Sequence, residues 1–221
     1  MKKASDRILK RSVLSVLVAA TLHIPQTMAE FTETVTAGSI VRDETVENGT
    51  QTVWNGGKTE NITIEQGGVQ NVSGTAKDTT INNGGVQTVY SGGSATNTAI
   101  NAGGLMQNAG EDTGTTVKSG GVYELGRIVY GGRNDYFGTS SASDLTVDAG
   151  GRATVYAGTL TGATVSGEDA TLTLMTPQTE TKDSDFTLSL TGNVSVTDHA
   201  RLVAQRGADM SGADLTLGSQ G

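Results

Sequence analysis

Glycine pairs return at a fixed phase along this chain, and that constrains its fold more than any other feature. They stand at Gly56-Gly57, Gly67-Gly68, Gly84-Gly85, Gly92-Gly93, Gly103-Gly104, Gly120-Gly121, Gly131-Gly132 and Gly150-Gly151. From Asn48-Gly49 onward a main series ends at positions 49, 68, 85, 104 and 121, in steps of 19, 17, 19 and 17. Secondary turns end at Gly57, Gly74, Gly93 and Gly110, each eleven residues before the next main pair. A repeat of this kind has to be read before any element is assigned, because one short unit cannot bury an apolar face alone.

Between the turns lie short, β-branched runs. The eleven-residue arms carry Ile62-Thr63-Ile64, Thr79-Thr80-Ile81, Thr98-Ala99-Ile100 and Thr115-Thr116-Val117; the shorter arms read Val69-Gln70-Asn71-Val72 and Val86-Gln87-Thr88-Val89. Such runs bounded by Gly and Asn are strands, not helices. If successive units stack in parallel, Ile64, Ile81, Ile100, Val117, Val147 and Val165 become equivalent and form an interior aliphatic ladder, with Thr98 facing outward. Gly67, Gly68, Gly84, Gly85, Gly103, Gly104, Gly120, Gly121, Gly150 and Gly151 become corners, where φ > 0 costs glycine nothing. The expected fold is all-β, a parallel β-helix of coils 17–19 residues long. Hydrophobic content of 35% and aromatic content of 4% suit it, since a thick globular core needs more of both. An antiparallel sandwich also shows frequent turn signals but has no reason to repeat its sequence at fixed phase.

The regular repeat spans residues 30–165, with an expected corner insertion at about 133–144 containing Tyr136 and Phe137. Residues 166–221 read as a looser, truncated continuation, with strands at 163–165, 171–174, 186–190, 194–196 and 215–217 and a loop at 176–185. Residues 1–29 differ. Lys2, Lys3, Arg7, Lys10 and Arg11 precede an apolar run over 13–22, and a small residue, Ala29, closes the stretch. This is the layout of a secretory signal peptide cleaved between Ala29 and Glu30, the apolar run being too short to span a bilayer. Without it the chain holds 10 Lys+Arg against 22 Asp+Glu, a net −12. That acidity excludes nucleic acid as a partner and docking on anionic lipid.

The units from Ile64 to Val72 and from Ile81 to Gly93 resemble the passenger repeats of the AIDA-type autotransporter adhesins of Gram-negative bacteria, well over 40–165 and loosely over 166–221. The resemblance implies a right-handed parallel β-helix displayed on the outer membrane for cell adhesion, self-association and biofilm formation. Its implied partners are a host or bacterial cell-surface protein or glycan, or a second copy, and some relatives carry heptose on Ser and Thr of the repeats. Family members end in a translocator β-barrel, whose alternating ~10-residue strands do not occur here. The expectation is a passenger fragment, surface-exposed or secreted in the full-length context and periplasmic alone.

No cofactor or metal is expected: Cys is absent, His is not paired in the mature chain, and no EF-hand spacing occurs. The alternative function is a secreted β-solenoid polysaccharide lyase or hydrolase, which needs carboxylates converging on one face. Glu111-Asp112 and Glu168-Asp169 read instead as solvated acids at turns, and His199 as a surface residue. Tyr123, Tyr130, Tyr136 and Phe137 gather near the insertion, either capping a coil or making a carbohydrate or protein contact. Asn82, Asn83 and Asn101 read as amide ladders or left-handed turn residues. The chain is expected to be no enzyme.

Overall fold

The computed structural model describes residues 30–175 and 187–218. The proposed signal segment through Ala29, the loop at 176–185 and Phe186 lie outside them.

Parallel pairing with coil-length offsets builds a β-solenoid. Nine strands stack in one sheet from Phe31–Val35 to Arg201–Ala204, and fourteen form a second that covers two faces. In the early coils the second sheet has two pieces per coil, such as Thr75–Lys77 and Thr80–Ile81, bent apart at Asp78 (φ 55°). Asp43, Asn61 and Asn97 hold the equivalent left-handed corner, which Asn and Asp tolerate because their short side chains bond locally. Asn61 Nδ2 donates to Asp43 Oδ1 (2.6 Å) and Asn97 Nδ2 to Asp78 Oδ1 (3.1 Å), so the corner is a polar ladder. In later coils the pieces fuse into longer strands, such as Gly158–Ser166.

The register places like residues on like. Ile64 lies opposite Ile81, Ile81 opposite Ile100, Ile100 opposite Val117, Val117 opposite Val147 and Val147 opposite Val165. Val46 precedes the row and Val196 follows it. These side chains face Val35, Val53, Val72, Val89, Leu125 and Val155 of the first sheet, nearly all fully buried. Each such burial contributes roughly 1.5–3 kcal/mol, so a thin core shared by many coils is enough.

Each glycine of a main pair has its own task. Gly84 is left-handed (φ 77°), whereas a Cβ on Gly85 would lie 2.6 Å from the carbonyl oxygen of Ile64 in the preceding coil. The first residue makes the bend; the second lets two backbones approach. The same division holds at Gly67-Gly68, Gly103-Gly104, Gly120-Gly121 and Gly150-Gly151. Later coils use Asp169-Ala170 and His199-Ala200, with Asp169 and His199 at positive φ and both exposed.

The interior is more polar than the repeat suggests. Gln51, Gln70 and Gln87 are fully buried and stacked: Gln87 Nε2 donates to Gln70 Oε1 (2.7 Å) and Gln70 Nε2 to Gln51 Oε1 (2.7 Å). Thr98 is buried, contrary to the outward placement expected, and its hydroxyl donates to Gln87 Oε1 (3.3 Å). A small β-branched residue fits either side of a thin wall, and here the buried amide next to it needs a donor. The strand residues Glu111–Thr113 likewise turn Asp112 inward, 3% exposed, where the sequence suggested a solvated turn. Asp112 takes the register position of Ala95 and Ala142, which is an interior one.

Candidate functional site

Corners between the first sheet and the second differ from coil to coil. Trp54-Asn55-Gly56-Gly57 and Tyr90-Ser91-Gly92-Gly93 are four-residue turns, closed by Gly57 N–H donating to the Trp54 carbonyl and Gly93 N–H to that of Tyr90, both at 2.8 Å. The intervening coils pass through Ser73-Gly74 and Ala109-Gly110 instead. The two extra residues in alternate coils are the physical origin of the 19/17 alternation. Positions Trp54, Ser73, Tyr90, Ala109, Gly126 and Tyr156 are equivalent, each N–H donating to a carbonyl of the preceding coil's strand.

In the sixth coil this same corner expands into an antiparallel hairpin, Arg127–Tyr130 with Arg133–Tyr136, turning at Gly131-Gly132. The excursion begins upstream of the expected 133–144. Ser141 is already back in register opposite Glu111, and the stretch to Asp144 belongs to the solenoid. Arg127-Ile128-Val129-Tyr130 alternates like a solenoid strand, and the small polar residues 139–144 read like a loop; pairing partners decide otherwise.

The hairpin folds back over the outer face of the first sheet. Thr88, Gln107 and Glu124 hold outward register positions yet are at most 7% exposed, because it covers them. Val129 N–H donates to Gln107 Oε1 (3.4 Å), and Ile128 is buried. Glu124 accepts from Gln107 Nε2 (2.9 Å) and pairs with Arg127, whose guanidinium stands 4.2 Å from the centroid of the Tyr156 ring. Tyr136 packs against Tyr156 with centroids 6.1 Å apart. A mostly buried ion pair capped by a cation–π contact holds a loop firmly, since loosening it strands a charge away from water.

Six of the nine aromatic residues sit at this corner or on its hairpin: Trp54, Tyr90, Tyr130, Tyr136, Phe137 and Tyr156. Trp54 is 56% exposed and Tyr130 75%. Tyr90 donates to Asn71 Oδ1 (3.4 Å), and its phenol pKa is raised by burial and by nearby Tyr130. Tyr123, grouped with these residues on sequence alone, is fully buried in the core: Asn108 Nδ2 donates to its hydroxyl (3.2 Å). Burial pushes the Asp112 carboxyl up to about 7, against the hydroxyl of Thr115, which donates to Oδ1 (2.8 Å). That group is sealed inside the coil, out of reach of a substrate, and Glu168-Asp169 lie apart from it on an exposed turn. At the first coil, Gln51 Nε2 bridges Glu33 Oε2 (2.6 Å) and Glu44 Oε2 (3.2 Å), and burial with the Glu33 charge pushes Glu44 up to about 7. Asn101 Nδ2 donates to Asn82 Oδ1 (2.6 Å) and Asn82 Nδ2 to Glu65 Oε1 (2.7 Å), an amide ladder beside the glycine pairs. Among the described residues no group of three His, Cys, Asp or Glu is arranged to hold a metal.

The glutamine row and the aromatic corner were both missed in the sequence. A Gln two residues after each of Gly49, Gly68 and Gly85 was one available signal; the two-residue excess of alternate coils, coinciding with Trp54 and Tyr90, was the other.

Residues 72–121 match the family described as "Adhesin of bacterial autotransporter system, probable stalk". The solenoid carries AIDA-type passenger repeats. The AIDA-type chain is 43% identical over 99 residues to "Probable autotransporter YpjA" of Escherichia coli K12, covering 45% of this chain and 6% of that one. It is 34% identical over 189 residues to "Uncharacterized protein YdhQ" of Escherichia coli O157:H7, covering 82% of this chain and 38% of that one. It therefore spans well under half the length of either relative. Among solved structures, the TibC-catalyzed hyper-glycosylated fragment of TibA is similar at 23% identity with a TM-score of 0.32, covering 85% of this chain and 94% of that one.

Proposed function

We propose that this chain is part of a surface-displayed autotransporter adhesin, in which the solenoid is a rigid stalk and the variable corner presents the contact residues. The observation that supports this best is the concentration of departures from the repeat, and of exposed aromatic rings, on one corner. Loops on a regular scaffold carry recognition, and large exposed aromatics serve contact rather than folding. The reading is of a binding chain without catalysis, and its partner is a cell-surface protein or glycan or a second copy. It includes export: residues 1–29 direct the chain out of the cytoplasm, with cleavage before Glu30. It also includes glycosylation. Thr45, Thr63, Thr80, Thr116, Thr146 and Thr164 form an outward row on successive coils, which offers a regular set of hydroxyls for heptose.

Residues 30–221 fused to a translocator barrel test the reading. Bacteria displaying the chain, verified by its digestion in intact cells by added protease, should aggregate or adhere to epithelial cells more than barrel-only controls. Display without any gain in either would refute it.

A further inference from the structure

Trp54 is the chain's single tryptophan, and it stands more than half exposed at the variable corner. Tyr90 occupies the equivalent position two coils on, about 9.6 Å away along the axis at ~4.8 Å per coil. The hairpin brings Tyr130 back toward Tyr90, close enough for the two phenols to interact electrostatically. Three rings thus follow the solenoid axis, and Val129 beside them is 42% exposed. The strand next to them presents Thr52 and Asn71, paired in register and half-buried, so the rings are flanked by hydroxyl and amide groups without charge.

That combination selects among ligand classes. A protein hot spot packs aromatics in a contiguous, dry apolar patch; these rings are separated along the axis and edged by hydrogen-bonding groups. A sugar ring has an apolar C–H face to lie on an aromatic ring and hydroxyls at its edge for amides and threonines. The nearest guanidinium, Arg127, is neutralised by Glu124, and the net −12 of residues 30–221 repels sialylated or sulfated chains. We propose that the Trp54–Tyr90–Tyr130 line binds an extended, uncharged glycan running along the solenoid axis. This rests on the adhesin reading and names its ligand class.

Trp54 is its own reporter. The purified chain is titrated with cello-, manno- and chito-oligosaccharide tetramers, with sialyllactose as the anionic control, following tryptophan emission. At least one neutral tetramer should shift the emission saturably while sialyllactose does not. Tyr130→Ala, at an exposed position, should weaken that binding about tenfold with an unchanged circular dichroism spectrum, and Tyr130→Phe should retain it. No response to any neutral tetramer at millimolar concentration, or equal binding by Tyr130→Ala, would overturn the inference. So would adhesion of displaying cells that survives glycosidase treatment of the target but not protease treatment, which marks a protein partner. Adhesion without glycan binding leaves the adhesin reading standing; glycan binding without adhesion or aggregation sinks that reading alone.

Discussion

Replacing Gln70 by leucine is the sharpest probe of the interior. Gln70 accepts from Gln87 Nε2 and donates to Gln51 Oε1, all three side chains being fully buried. Gln70→Leu keeps the volume but leaves Gln87 Nε2 and Gln51 Oε1 without partners. At about 1–3 kcal/mol for each orphaned buried group, the cost is roughly 2–6 kcal/mol. Gln87→Leu orphans Gln70 Oε1 and the Thr98 hydroxyl, with a cost in the same range. The double variant no longer contains either half of the Gln70–Gln87 bond, so two of the four orphaned groups disappear. Its cost should fall short of the sum of the singles by about 2–3 kcal/mol, where the orphan range and the usual coupling range overlap. Urea unfolding followed by circular dichroism gives all four corners of the cycle. Additive costs, or a Gln70→Leu variant as stable as the parent, would show that these amides are not a buried, coupled ladder.

Two further expectations follow from the corner and the core. Gly84→Ala meets only the flexible Gln66 side chain at 3.3 Å and should cost about 1–2 kcal/mol for a left-handed alanine. Gly85→Ala drives its Cβ to 2.6 Å from the Ile64 carbonyl oxygen and should cost more; equal urea midpoints for the two would refute the division of labour. For Asp112, a folded pKa of about 7 lies above the ordinary value of about 3.9, so the folded state binds the extra proton. Its stabilising contribution is fully present below pH ~4 and is lost as pH rises through about 7. The urea midpoint should fall between pH 5 and pH 8, and Asp112→Asn should flatten that slope. The remaining slope belongs to Glu44, raised in the same direction but partly open to water.

What the chain's sequence determined by itself was the coil. Glycine pairs at fixed phase dictate where the backbone turns, because a left-handed bend and a close backbone approach are local demands that glycine meets best. Isoleucine and valine at the same phase dictate which side of the wall is dry, as the register of Ile64, Ile81 and Ile100 shows. For polar residues that logic fails. Gln70, Thr98 and Asp112 face inward because stacked neighbours offer them hydrogen bonds, and partners supplied by adjacent coils are not written in any local pattern. The hairpin is the same case at larger scale. Arg127–Tyr130 alternates as a solenoid strand does, but Glu124, Gln107 and Tyr156, contributed by three different coils, hold it folded back on the wall. The aromatic corner exists only once that fold-back sets Tyr130 beside Tyr90, a meeting of residues 40 positions apart that tertiary structure alone decides.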